Sequence, residues 1–230
     1  MIASDVADAL RDLKPRFLEG LAPPEVKTIV AAATQRRFLA NSVITNQGDP
    51  AQHLFLLLQG RARYFYITNQ GQKIILWWLR AGEIFGGAAL VSKPRSYLVS
   101  TETVKSSYAL VWNRATIREL AARYPQLLEN TLAVISDYLD AYVAIHVSMT
   151  RHTARQRLAQ VLLTLASGIG HRVPSGVELQ VSNEDLANAA NVTPFTASRL
   201  LSEWQRSGMV VKSRGKVLLR HPERLLLHEL

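Results

Sequence analysis

The chain has 230 residues, 48% of them apolar, enough for two domains of ordinary size with buried cores. Its 27 Lys and Arg outweigh 18 Asp and Glu, and the formal net charge of +9 favours a polyanionic partner. With no cysteine, the chain's own side chains cannot supply disulfides, thiolate-held iron–sulfur clusters, Cys-based zinc sites or a thiol redox sensor.

The opening stretch, MIASDVADALRDLKPRF, carries acidic residues early and lacks the apolar run of a signal peptide. No run approaches the roughly 20 apolar residues of a membrane span, so a cytoplasmic protein without a membrane partner is expected. Residues 1–33 are predicted helical. Phe17, Leu18, Leu21, Val26, Ile29 and Val30 give a broken apolar face, and Pro23-Pro24 opens a new helix. From residue 34 to 113 the texture changes to short apolar or alternating runs, at 42–44, 53–58, 61–67, 73–79, 97–103 and 108–112. Turn signals lie among them: Asn46-Gln47-Gly48-Asp49-Pro50, Gln59-Gly60, Asn69-Gln70-Gly71 and Ala81-Gly82-Glu83. Strands at such spacing predict an antiparallel barrel or jelly roll.

A long helix is predicted from Pro125. Leu128, Leu132, Ile135, Leu139, Tyr142, His146 and Met149 recur at alternating four- and three-residue steps, an a/d seam. A seam must pack on something. A homodimer is the expected solution, and packing on the chain's own roll is the alternative. Thr150-Arg151-His152-Thr153 is a polar break and a candidate hinge. A helix follows at 155–166, then an exposed loop at 167–176 marked by Gly168, Gly170, Pro174 and Gly176.

Residues 181–217, VSNEDLANAANVTPFTASRLLSEWQRSGMVVKSRGKV, read as a helix-turn-helix followed by a hairpin wing. Ser182 is an N-cap, with Asp185 three residues on. Asn191 falls where the chain must turn sharply, and Asn tolerates the left-handed conformation there. Thr193 is a second N-cap and Pro194 suits the first helical position. Ala197, Leu200, Leu201 and Trp204 form the buried face of the second helix. Thr193, Pro194, Phe195, Thr196, Ser198 and Arg199 are left at its exposed start. Gly208 ends it, and Lys212, Arg214 and Lys216 surround the wing turn. A helix presented by its first turn, with short polar groups and one Arg, suits the major groove of double-stranded DNA. Arg199 is assigned to a base and the three wing cations to phosphates. A plain helical hairpin would not need these caps and this basic wing. Residues 151–230 carry 11 Lys and Arg against 6 Asp and Glu, a net +5, whereas residues 1–150 carry 16 against 12, a net +4.

The order helix, roll, long helix, winged helix is specific when read with four short segments. These are GDPAQHLFLLLQGRARYFY at 48–66, AGEIFGGAAL at 81–90, the pair Arg95-Ser96, and Arg157-Leu158-Ala159. Together they resemble the CRP/FNR family of bacterial transcription regulators over nearly the whole chain. The resemblance implies an α+β fold: an N-terminal antiparallel β-roll (jelly roll) with flanking helices, a long dimerisation helix and a C-terminal winged helix-turn-helix. The expected domains are 1–124 for the roll, 125–150 for the dimerisation helix and 151–230 for DNA binding. It also implies a homodimer reading an inverted repeat, with RNA polymerase as a further partner.

The resemblance further implies an effector pocket at Gly86, Gly87, Ala88, Arg95, Ser96, Tyr142 and Val143. Cyclic-nucleotide-binding members carry Phe-Gly-Glu, whose Glu holds the ribose hydroxyl. Here the string is Phe85-Gly86-Gly87, and glycine has no side chain to accept that bond. A missing hydrogen bond to a charged acceptor costs about 1.5–3 kcal/mol, or roughly 10- to 150-fold in affinity. Arg95-Ser96 keeps a phosphate-holding pair, since a guanidinium suits a phosphate. The next residue, Tyr97, replaces a small one. Tyr142 and Val143 stand where cyclic-AMP receptors have polar base-reading groups. The expectation is a regulator whose physiological effector is not cAMP. On the recognition helix, Pro194-Phe195 replaces the Arg-Glu of those receptors while Arg199 is kept, so a different target sequence is expected.

Single features carry less. His146 in the seam reads as an interfacial polar residue rather than a haem ligand or pH switch. His53 stands alone in the roll, so neither metal nor cofactor is expected. Trp77-Trp78 read as core and rim, and Arg61 with Arg63 as a solvated face. The alternative functions are a cyclic-nucleotide-responsive activator and, remotely, a jelly-roll enzyme. For the enzyme no paired carboxylates, triad or metal cluster is visible.

Overall fold

A computed structural model describes the backbone over residues 3–93 and 95–225; side chains at 3–5, 145, 146, 148–151 and 223 are outside this description. Its contacts divide the chain into two units. The first is Met1–Tyr66 with Leu76–Ala141, and the second is Ile67–Ile75 with Tyr142–Leu230.

In the first unit, α1 (Ala3–Leu13), a 3-10 turn (Arg16–Leu18) and α2 (Pro23–Ala31) precede the strands β1 (Thr34–Phe38), β2 (Val43–Thr45), β3 (His53–Ile67), β4 (Lys73–Arg80), β5 (Ile84–Phe85) and β6 (Ser100–Asn113). The main sheet runs β1-β6-β3-β4, with β2 on β6 and β5 on β3. The pairings β1–β6, β2–β6, β3–β5 and β3–β6 are antiparallel, and an isolated antiparallel bridge joins Pro50 to Ser96. Trp112 is fully buried on β6, and its indole N–H donates to Ile29 O of α2 at 2.8 Å. The ring of Phe17 meets it edge-on at 5.9 Å, so one aromatic residue ties the 3-10 turn and α2 to the sheet.

The strands of the roll are longer than their sequence suggests. Gln59-Gly60 is not a turn between two strands, and 97–103 and 108–112 are not separate strands. β3 and β6 are each continuous, paired from His53↔Asn113 to Phe65↔Ser100 with register shifts between Leu57 and Ala62. Gly60 takes φ +102°, and a Cβ there would lie 2.6 Å from Ser107 Cα. The glycine serves a bulge and a close backbone approach, which leaves the same mark in sequence as a turn.

Asn113 caps α3 (Arg114–Arg123) by accepting from Thr116 N. The long helix α4 (Gln126–Arg151) follows. One face packs on the roll. Leu127, Asn130 and Thr131 are buried, and the Asn130 amide donates to Phe17 O at 3.0 Å and Glu19 O at 2.8 Å. The other face carries the predicted seam, reported below.

In the second unit, α5 (Ala154–Ile169) starts at a capping box between Thr153 and Gln156, so the polar break at 150–153 is a helix junction. The expected loop at 167–176 is shorter than read. α5 continues to Ile169, and β7 (His171–Val173) with β8 (Gly176–Leu179) makes a hairpin. Gly176 belongs to this hairpin and not to a loop. It sits at φ +137°, where a Cβ would collide with Leu219 O of the paired strand. α6 (Asn183–Ala189), α7 (Pro194–Arg206), β9 (Val210–Ser213), β10 (Lys216–Leu219) and a 3-10 turn (Pro222–Arg224) complete the unit. Its sheet runs β7-β8-β10-β9.

Candidate nucleic-acid interface and effector pocket

The helix-turn-helix is built by its caps. Ser182 Oγ accepts from Asp185 N at 3.1 Å, and Thr193 Oγ1 accepts from Thr196 N at 3.1 Å, so both helices begin where the sequence placed them. Asn191 adopts φ +51° at the turn between them. Arg157 of α5 fixes that turn. Its Nε donates to Ala190 O at 2.9 Å, Nη2 to Asn191 O at 3.1 Å and Nη1 to His152 O at 2.9 Å. Ala197, Leu200, Leu201 and Trp204 are buried, as their spacing requires. Thr193, Pro194, Phe195 and Arg199 are exposed, Phe195 by 78%, while Thr196 and Ser198 are half-buried. The β9–β10 hairpin follows, paired from Lys216↔Ser213 to Leu219↔Val210, with Arg214 and Gly215 at its tip.

In the roll, Gly86 takes φ +79° and opens a 3-10 turn, Gly87–Leu90. Arg114 holds this segment, donating from Nη1 to Ala89 O at 2.7 Å and from Nη2 to Ser92 O at 3.0 Å. Tyr97 lies across from Gly86. It is 8% exposed, and a Cβ built on Gly86 would be 3.4 Å from its ring. The Tyr97 hydroxyl accepts from His53 N at 2.9 Å and donates to His53 O at 3.0 Å. Burial pushes this phenol above its ordinary range, which keeps it neutral and able to donate. Behind it Phe55 and Phe85 stack at 4.5 Å. Tyr138 of α4 meets Tyr64 edge-on at 6.1 Å and Trp77 at 5.6 Å, so the long helix contributes an aromatic ring to the roll.

Comparison with known proteins agrees with both halves. Residues 35–124 match the cyclic nucleotide-binding domain model, and residues 156–227 match the Crp-like helix-turn-helix domain model. A cyclic AMP receptor protein of Thermus thermophilus is 30% identical over 215 residues, covering 93% of this chain and 95% of the relative. The chain belongs to the CRP/FNR family of transcription regulators. Electron transport regulator A of Shewanella oneidensis is 27% identical over 187 residues, 80% of this chain and 74% of that protein. Among solved structures, the c-di-GMP-responsive global regulator CLP of Xanthomonas campestris superposes with a TM-score of 0.77. That match has 18% identity, covers 87% of this chain and 100% of the other, and is a likeness of fold. This CRP/FNR protein is thus a DNA-binding transcription regulator and not an enzyme.

Placed in this CRP/FNR frame, the predicted site residues separate. Gly86, Gly87 and Ala88 form one half-buried turn, and Gly87 has only Thr131 Cγ2 near a notional Cβ, at 3.9 Å. Arg95 and Ser96 are exposed, while Tyr97 takes the inward position. Tyr142 and Val143 belong to the second unit, 60% and 53% exposed. The seam residues Leu128, Leu132, Ile135 and Leu139 are also exposed, by 41%, 65%, 48% and 60%. His146 and Met149 lie on α4 with side chains outside the described residues.

At the predicted DNA-contacting residues, Arg199 is held by Glu203 and Lys216 by Glu178 at 3.0 Å. Lys212 Nζ lies 3.4 Å from the hydroxyls of Ser198 and Ser202. Arg214 has no ion-pair partner among the described residues. Sequence reasoning missed Arg114, Tyr138, Glu203 and the clamp made by Arg157. Each works through a partner distant in sequence, and only the Arg157-Leu158-Ala159 string gave any signal. It also misjudged Arg63 as solvated. Arg63 donates from Nε to Glu102 at 2.7 Å across β3 and β6, with 15% and 8% side-chain exposure. The strand pairing puts opposite charges side by side on a covered face. Among the described residues no helix is long and apolar enough to cross a membrane.

Proposed function

We propose that this protein is a cytoplasmic homodimeric regulator that reads an inverted repeat and acts on RNA polymerase without cAMP as its physiological effector. The dimer reading is supported by the exposed stripe of α4. The opposite face is already engaged by buried contacts, which leaves the exposed Leu128, Leu132, Ile135 and Leu139 to a second copy. Two recognition helices related by a two-fold axis would meet half-sites about one helical turn apart. Arg199 would contact a base, Phe195 could pack on a thymine methyl, and Lys212, Arg214 and Lys216 would neutralise phosphates.

The observation that carries the effector reading is Tyr97. It occupies the inward place beside Gly86 and is latched to the His53 backbone through both hydrogen-bonding capacities of its hydroxyl. Arg95-Ser96 is turned to solvent, and Gly87 offers no ribose acceptor. A nucleotide must bind one conformation better than the other to shift their balance, and this roll has lost the contacts through which it would do so. A cyclic AMP receptor protein is among the relatives and a c-di-GMP-responsive regulator shares the fold, so both nucleotides are the relevant probes.

The test is selection of duplexes from fragmented genomic DNA by the pure protein, followed by calorimetric titration with cAMP, cGMP and c-di-GMP. The expected result is an inverted-repeat site bound without added nucleotide. Binding of cAMP at or below about 10 μM, near −7 kcal/mol by the affinity relation, together with tighter DNA binding would overturn the effector reading.

A further inference from the structure

Glu203 lies one turn after Arg199 on α7, and arginines engage both of its carboxylate oxygens. Oε1 accepts from Arg199 Nη1 at 2.7 Å, and Oε2 accepts from Arg155 Nη1 of α5 at 2.8 Å. Arg155 is itself anchored. Its guanidinium carbon lies 5.4 Å from the ring centre of Trp204, and Trp204 is fully buried in the core of the unit. Arg155 and Glu203 keep 32% and 26% of their side-chain exposure, whereas Arg199 keeps 55%. A line of contacts therefore runs from a rigid indole, through a cation and a carboxylate, to the exposed arginine of the recognition helix.

We propose that Glu203 is a positioning residue for base readout, with Arg155 as its rear support. The inference rests on the reading that Arg199 contacts a base. A guanidinium has five N–H donors in a fixed fork. Glu203 uses the Nη1 end, which leaves the Nε and Nη2 edge to donate in parallel to O6 and N7 of a guanine. Left to itself, a long arginine samples many rotamers and loses them when it docks on a base, and a carboxylate gripped from two sides removes much of that loss in advance. The same negative charge stands beside a surface that must approach phosphates, so it opposes binding in which Arg199 finds no proper acceptor. Together the two effects widen the gap between the correct site and other DNA. The recognition helix carries one arginine in its first two turns, so its orientation matters more than in a helix with several base-reading side chains.

The experiment uses the full chain and a duplex selected from a randomised library. Every base pair of one half-site is then substituted in turn, and affinities are measured for the wild type, Arg199→Ala, Glu203→Ala and the double variant. Arg199→Ala identifies the base pair it reads. Glu203→Ala should lower discrimination at that same base pair by about 3- to 10-fold and leave affinity for unrelated DNA equal or higher. In the double variant, discrimination should be no worse than with Arg199→Ala alone. Glu203→Gln, which keeps an acceptor oxygen, should give a smaller shift at the same base pair; it carries the comparison if thermal unfolding shows that the alanine variant has lost its fold. Weakening of all duplexes alike with base preference intact would overturn the proposal, as would simple additivity of the two substitutions. If Arg199→Ala itself leaves every preference unchanged, the base-reading assignment has failed and the proposal falls with it.

Discussion

The exposed stripe of α4 gives the most demanding prediction. Leu132 and Leu139 retain 65% and 60% of their exposure in the single chain. Fully burying a leucine side chain contributes about 1.5–3 kcal/mol, so covering what remains exposed would contribute roughly 1–2 kcal/mol for each. Two residues in two chains give about 4–8 kcal/mol from these positions alone. The double substitution Leu132→Asp with Leu139→Asp removes that term and sets carboxylates against their symmetry mates in a seam. A loss of at least about 4 kcal/mol raises the dimer dissociation constant roughly a thousandfold. Sedimentation velocity over a micromolar dilution series should show dimers for the wild type and monomers for the variant, with the circular dichroism of the fold preserved. Leu39→Asp is a matched control, since Leu39 is 64% exposed and lies outside α4. Affinity for an inverted repeat should fall steeply in the seam variant, because the second half-site contact no longer comes tethered to the first. A double variant that stayed dimeric within tenfold of wild type would place the interface elsewhere.

Three further outcomes are expected. Arg199→Ala should cost roughly 1–3 kcal/mol at the selected site and relax one base-pair preference, whereas Arg214→Ala should weaken all duplexes and flatten the salt dependence; an unchanged salt slope would remove the wing from the phosphates. Gly87→Glu has room at its Cβ, yet calorimetry should detect no tight cAMP binding, since Tyr97 still fills the inward position; micromolar binding would show that the lost acceptor alone was limiting. Gly60→Ala combines a left-handed φ with a Cβ 2.6 Å from Ser107 Cα, so it should cost at least about 1–3 kcal/mol in strain and lower the melting temperature, and a neutral result would refute the bulge argument.

Local chemistry and periodicity are legible before any fold is known. Ser182, Thr193, Asn191 and Pro194 specify caps and a turn through their own side chains and backbone preferences, and they stand where the reading placed them. The 3.5-residue spacing of the α4 seam fixed which face is apolar, and that face is exposed in the described part. What depends on partners far apart along the chain emerges only when the elements pack. Gly60 reads as a turn until β6 is laid against it, because a bulge and a hairpin ask for the same conformational freedom. Arg63 reads as solvated until strand register sets it beside Glu102, and Tyr97 reads only as a large residue in place of a small one until its hydroxyl meets the His53 backbone. Glu203 shows the limit most clearly. The reading of α7 passed over it, although four residues is the spacing of a helical ion pair with Arg199; Arg155 lies 48 residues earlier, and only the packing of α5 on α7 could bring it to the second carboxylate oxygen.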